Sequence, residues 1–185
     1  MNPDLLEKLK YPIGRFERVE KLDKETLDTY TLKLLDFPKI LEKAIQSFSE
    51  DDFKRTYRPG GWNIAQVIHH LADSHIHCYV RFKHALLEDT PSIKDYTESE
   101  WAELPDATQT DVKSSIAILK GIHQRWTTLI GQMKAEDFEK SYYHAGKGKH
   151  YPLYTVVPLY AWNSYHHLAA LQQYPIKKSH PGGTT

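Results

Sequence analysis

The sequence predicts an all-α protein, an antiparallel four-helix bundle with long connecting loops. Three observations carry this. Apolar residues recur at the helical period in four stretches, turn and capping signals mark the ends of those stretches, and no strand pattern of consequence is visible. At 185 residues the chain can bury a core without disulfides or a structural metal, so one domain over residues 1–176 suffices. The remaining 177–185, closing on Pro-Gly-Gly-Thr-Thr, reads as a disordered tail.

The first helix spans about Lys24 to Phe48, where Leu27, Leu34, Leu35, Ile40, Leu41, Ala44, Ile45 and Phe48 line one face and Pro38 marks a kink or break. Tyr57-Arg58-Pro59-Gly60-Gly61 is a turn. Asn63, with Gln66 three residues on, forms a capping box that opens the second helix, running to Leu87. The segment from Pro91 to Thr110 is polar, studded with aromatics and punctuated by Pro105. It reads as a long connection with a short helix around Glu98 to Leu104, and connections of that length are often functional.

The third helix runs from about Val112 to Met133, capped by Asp111. Its stripe is Ile116, Leu119, Ile122, Trp126, Leu129, Ile130 and Met133. Gly146 and Gly148, flanked by tyrosines, place a turn or short hairpin between Tyr142 and Tyr154. The fourth helix is expected to start near Thr155 as N-cap, with Pro158 in its first turn, and to end before Pro175.

Composition removes several function classes. Lysine plus arginine equals aspartate plus glutamate at 24 each, so no electrostatic footprint for nucleic acid or an anionic membrane is present. No apolar run reaches membrane-spanning length, and the first residues lack the pattern of a signal peptide. A single cysteine, Cys78, forms no internal disulfide and fits a reducing compartment, so the expected location is the cytoplasm. On the apolar line of the second helix it reads as a small buried hydrophobe. Gly146-Lys147-Gly148 lacks the spacing of a phosphate loop and is a turn.

Histidine is the informative residue type. Five of the eleven histidines fall between positions 69 and 84, and the pair His69-His70 is echoed far downstream by His166-His167. Neutral imidazole suits zinc, nickel, copper or iron, and imidazoles from two packed helices can converge on one ion. On the second helix Asn63, Val67, His70, Ser74 and Arg81 share a face, which points His70 to the edge of the core. His69, about 100° round the helix, turns to solvent or a loop. On the fourth helix Asn163 and His167 are four apart and share a face. Asp73, one turn from His70, is a candidate to orient a ligand or take a proton, against the simpler reading of a surface pair with His77 or Arg81. Tyr57, Trp62, Trp101, Tyr143, Tyr160 and Trp162 either wall a pocket or pack, and Trp126 and Trp162 are assigned to the core.

The run Tyr57-Arg58-Pro59-Gly60-Gly61-Trp62, followed by Gln66 through His75 (Gln-Val-Ile-His-His-Leu-Ala-Asp-Ser-His), resembles the DinB-like superfamily and, within it, the bacterial YfiT-type metal-dependent hydrolases. Tyr11-Pro12-Ile13-Gly14, Arg81-Phe82-Lys83, Trp101, Arg125-Trp126, Tyr143-His144 and Tyr160-Ala161-Trp162 through His166-His167 extend the resemblance from about residue 11 to 173. It implies a bundle with a divalent metal, zinc or nickel, on three histidines, one from the second helix and two from the fourth. His70 and His167 match the outer two positions. The middle position is Asn163, and a further histidine of the pattern is Ala170.

The resemblance thus implies a metal-dependent hydrolase acting on a small molecule, with a metal-bound water as nucleophile. A metal-dependent thiol S-transferase of the bacillithiol type, using a low-molecular-weight thiol, is the alternative enzyme. A non-catalytic binding module, its ion lost through Asn163, is the third reading. Three fates are open for the middle position: Asn163 as a weak ligand, His166 in its place after a register change, or no ion. An exposed apolar face would make the protein a homodimer.

Overall fold

The computed structural model describes residues 3–56 and 58–173, so Tyr57 and the 177–185 tail lie outside it. Four long helices form the bundle: α2 (Lys24–Ile45), α4 (Ile64–Leu87), α6 (Lys113–Ile130) and α7 (Leu153–Gln172). Three short ones accompany them, α1 (Pro3–Lys10), α3 (Glu50–Phe53) and α5 (Glu98–Trp101). Among the described residues no helix is long and apolar enough to cross a membrane.

The order of the long helices around the bundle positions the site. α2 and α4 each pack against both α6 and α7, which leaves α2 diagonal to α4. An up-and-down bundle with short loops puts consecutive helices side by side. Here the connections must cross the ends of the bundle, which accounts for their length. The consequence is that α4 and α7, the two helices bearing histidine pairs, face each other. Phe37, Leu41, Ile68, Leu71, Leu119 and Leu171 fill one half of the core, and Leu34, Phe82, Trp126, Tyr142, Leu153 and Val157 the other.

Local chemistry sets the helix ends. Asn63 and Gln66 close the predicted capping box: Gln66 N–H donates to Asn63 Oδ1 at 2.8 Å and Asn63 N–H to Gln66 Oε1 at 3.0 Å. Gln66 also donates through Nε2 to the Ala102 carbonyl at 2.8 Å, tying the long connection over the start of α4. Asp111 accepts from Lys113 N–H at 3.1 Å, but the N-cap of α6 is Val112, which makes no side-chain cap bond, so Asp111 stands one residue outside the predicted cap position. Pro38 does not break α2. Lacking an N–H, it leaves the Leu34 carbonyl, four residues back, without its helical donor, and the His123 imidazole supplies a replacement through Nδ1–H.

Two further expectations are corrected. α7 begins at Leu153 after Pro152, so Thr155 is inside the helix, its hydroxyl donating to the Val19 carbonyl at 3.3 Å, and Pro158 falls in the second turn. The connections also contain a three-stranded sheet, β1 (Ser92–Ile93), β2 (Ser141–His144) and β3 (Lys149–Pro152), where no strand pattern of consequence was expected beyond a short hairpin. The hairpin β2–β3 pairs Tyr142 with Tyr151 and turns through Gly148 at φ 59°, a conformation that disfavours any residue with a Cβ. β1 is two residues long and pairs in parallel with β2, Ser92 against Tyr143. It is too short to show a period.

Candidate metal centre

His70 and His167, from α4 and α7, meet with ring centroids 5.4 Å apart and nearly edge-on. Trp62, just before the α4 cap, tilts against His70 at 4.8 Å. Burial lowers the pKa of His70, with Glu98 opposing, and lowers that of His167 far more, helped by His70 and His166. Both imidazoles are therefore neutral at physiological pH, the state in which a ring nitrogen has a lone pair to give. His167 Nδ1 and Asn163 Oδ1 are buried without a hydrogen-bond partner, a condition that in a native interior calls for an explanation.

His166 takes a different place. Its ring stacks on Trp162 at 4.7 Å with an interplanar angle of 22° and lies against Tyr11 at 5.9 Å, and it stands at 77° to His167. Two aromatic neighbours hold it at the wall of a cleft of about 410 Å³, which Tyr11, Arg58, Trp62 and His167 also line. Trp162 is half-buried rather than in the core, because its ring covers His166 and Phe16.

His69 is also placed differently from one half of its expectation. It reaches the connection before α6 and is buried there, bonded to Ser115 Oγ at 2.7 Å and the Gln109 carbonyl at 3.0 Å. Asp73 has Asp106 and His69 as electrostatic neighbours, and with burial Asp106 raises its pKa. Arg81 instead donates to the Lys94 carbonyl at 3.2 Å and lies 4.0 Å from Asp95. Cys78 is buried, its thiol pushed well above the usual range.

Two histidines that spacing did not single out complete the picture. His75 is fully buried and His123 1% exposed, their rings stacked at 4.8 Å and 15° and joined by a 2.8 Å hydrogen bond between His75 Nδ1 and His123 Nε2. No spacing signal could have found this pair, since its members lie on different helices. Burial pushes His123 down to about 4 against the opposing pull of the Leu34 carbonyl, and pushes His75 well down, with His123 adding to the effect. The unfolded chain takes up a proton near pH 6.5 that folded His123 refuses until about 4. Stability therefore falls as pH drops through that window, by on the order of 3 kcal/mol from His123. Urea unfolding between pH 7.5 and 4.5 checks this. His123→Gln is expected to flatten the profile, and an unchanged slope would refute the assignment.

Among the described residues no cluster of three or more His, Cys, Asp or Glu side chains could hold an ion. Between α4 and α7 two imidazoles meet, and Asn163, the other candidate donor, lies one turn before His167 on α7. Two neutral nitrogens and an unpartnered buried oxygen fit a divalent cation, although the oxygen is a poorer donor to zinc or nickel than a third imidazole.

Comparison with known proteins agrees with this architecture. The model of the DinB superfamily matches residues 34–171. YfiT of Bacillus subtilis, provisionally named a metal-dependent hydrolase, is 38% identical over 165 residues, 89% of this chain and 93% of its own. A Bacillus licheniformis protein with the same provisional name is 40% identical over 167 residues, 90% of this chain and 95% of its own. The solved structure of Bacillus subtilis YfiT, described as a four-helix bundle of unusual topology, superposes with a TM-score of 0.87 and covers 89% of this chain and 94% of that one. With most of the bundle inside the family model and relatives matched over nearly their whole length, the chain belongs to the DinB superfamily, among its YfiT-type members.

Proposed function

We propose that this protein is a metal-dependent hydrolase acting on a small molecule, with a divalent ion, zinc or nickel, held by His70, His167 and Asn163 Oδ1. The observation that carries the reading is the meeting of two neutral imidazoles, His70 from α4 and His167 from α7, with His167 also lining a cleft sized for a small molecule and Asn163 one turn before it on α7. A bound divalent ion supplies Lewis acidity and lowers the pKa of a coordinated water. The chain's own residues do the rest. Burial keeps His70 and His167 unprotonated, and Trp62 limits the movement of the His70 ring. Trp162 and Tyr11 hold His166 at the cleft wall, where its unpartnered Nδ1 is a polar group for substrate contact or proton movement.

A non-catalytic binding module is the second reading, favoured by the one observation that the middle donor is Asn163. Stripping the protein with chelator, reloading it with zinc or nickel and assaying activated esters, amides and thiol transfer to an electrophile separates the readings. The expected result is ester or amide hydrolysis at least about 100-fold above the stripped protein, equivalent to about 2.7 kcal/mol of transition-state stabilisation, and absent in His167→Ala. Thiol transfer without hydrolysis would replace the hydrolase by the S-transferase. No turnover by metal-loaded protein would leave the binding module.

A further inference from the structure

We propose that the cavity at Arg81 is a second small-molecule site, which takes a monocarboxylate with a flat apolar body: the Arg81 guanidinium grips the carboxylate, and the rings of His77, Tyr96 and Trp101 wall the body. This does not rest on the metal reading. Arg81 lies three turns beyond His70 on α4, about 16 Å along the axis, and the cavity shares no lining residue with the cleft at His167.

The cavity holds about 600 Å³ between α4 and the connection that follows it. Arg81 and Ile93 are its buried lining residues and form the floor, whereas Glu88, Lys94 and Asp95 are exposed at the rim. With 7% exposure, Arg81 is the buried cation of the site. A guanidinium has five N–H donors in a fixed fork. Here Nη2 donates to the Lys94 carbonyl at 3.2 Å, and Nε is buried with no hydrogen-bond partner among the described residues. A buried charge short of acceptors is costly, and a planar two-oxygen group across Nε and Nη satisfies the fork.

Asp95 does not fill that role. Its Oδ1 stands 4.0 Å from Arg81 Nη2, beyond hydrogen-bond reach, and accepts instead from the Tyr96 N–H at 2.9 Å. Oδ2 rests against Gly146, so closely that a Cβ there would come within 2.0 Å of it, and His144 Nε2 is 3.5 Å from Oδ1. These loop contacts hold Asp95 at the rim rather than over the floor.

The apolar part of the ligand follows from the aromatic wall. His77 stacks on Tyr96 with centroids 4.2 Å apart at 12°, and Trp101 tilts against the two at 5.0 and 4.8 Å. Arg81 Cζ lies 5.9 Å from the Tyr96 centroid, so an acid gripped by Arg81 lays its body along these rings, and Val80 and Trp101 add exposed apolar surface. Asp95 beside the guanidinium repels a doubly charged phosphate more than a singly charged carboxylate, which favours the carboxylate.

The test is titration of chelator-treated, metal-free protein, in which no ion can hold the acid, with phenylacetate, phenylacetamide and inorganic phosphate, followed by the Arg81 Nε–H signal in proton–nitrogen spectra. Phenylacetate is expected to saturate with a millimolar or tighter Kd and to shift that signal downfield, with phenylacetamide and phosphate about tenfold weaker or worse. Arg81→Lys, which keeps the charge and loses the fork, is expected to weaken phenylacetate by about tenfold or more. Trp101→Ala, a change to a partly exposed wall residue outside the core, is expected to weaken it by about fivefold, and decides the matter if the lysine variant does not fold. Phenylacetamide or Trp101→Ala matching wild-type phenylacetate binding, an unmoved Arg81 signal, or no saturable binding overturns the site and leaves Arg81 as a clamp on the Lys94 carbonyl. Phosphate binding more tightly than phenylacetate overturns the carboxylate assignment.

Discussion

Asn163→His is expected to raise affinity for nickel and zinc by about 100-fold or more, a gain of about 2.7 kcal/mol. His70 and His167 are neutral and their rings lie 5.4 Å apart, so in the proposed site the substitution changes one donor and leaves the other two unchanged. Imidazole is a far better ligand than an amide oxygen for either ion, and asparagine and histidine both leave the backbone of α7 undisturbed. Competition against a chromophoric chelator measures the change. Equal affinities would mean that the spacing of α4 and α7 no longer supports a three-donor site, which favours the binding-module reading.

Trp126→Ala is expected to destabilise the fold by about 3–5 kcal/mol and lower Tm by roughly 10 °C. Trp126 is fully buried where three helices meet, edge-on to Phe82 at 5.5 Å and to Tyr160 at 5.8 Å, and within 6.5 Å of His123. Truncation opens a cavity the size of an indole in the half of the core that borders the His75–His123 pair. Trp126→Phe is expected to cost clearly less, because it keeps most of the ring volume and removes a buried Nε1–H that has no partner. Thermal melts of the two variants decide this. A loss under about 2 °C for the alanine variant would show that α4, α6 and α7 collapse onto the gap.

Much of this molecule is legible before any coordinates, and the reasons differ by element. α4 can be read because two local signals coincide, the Asn63–Gln66 capping box and an apolar stripe at helical spacing. α6 shows its stripe, although its N-cap position is Val112 rather than the Asp111 that the sequence suggested. The convergence of His70 with His167 follows from a family pattern rather than from spacing, and spacing alone could not have said that α4 faces α7. That adjacency depends on α2 lying diagonal to α4, a consequence of how long connections cross the bundle ends.

What stayed hidden is nonlocal. β1 is two residues with a parallel partner some fifty positions away. His75 looked like one more histidine in a rich stretch until His123 was brought against it by α4–α6 packing. Pro38 reads locally as a helix breaker, yet the helix continues because a side chain from α6 satisfies the carbonyl that proline strands. Trp162 was assigned to the core on hydrophobicity, whereas its ring serves as a platform for His166. α1 is eight residues long and precedes a turn, too short for a helical period to show locally.

The most direct measurement is the metal content of protein purified without a histidine tag and equilibrated with zinc or nickel, by elemental analysis, beside His70→Ala prepared identically. The account predicts close to one ion per chain in the wild-type protein and a large loss in the variant. Wild-type protein that holds no ion after exposure to excess of both metals would contradict it.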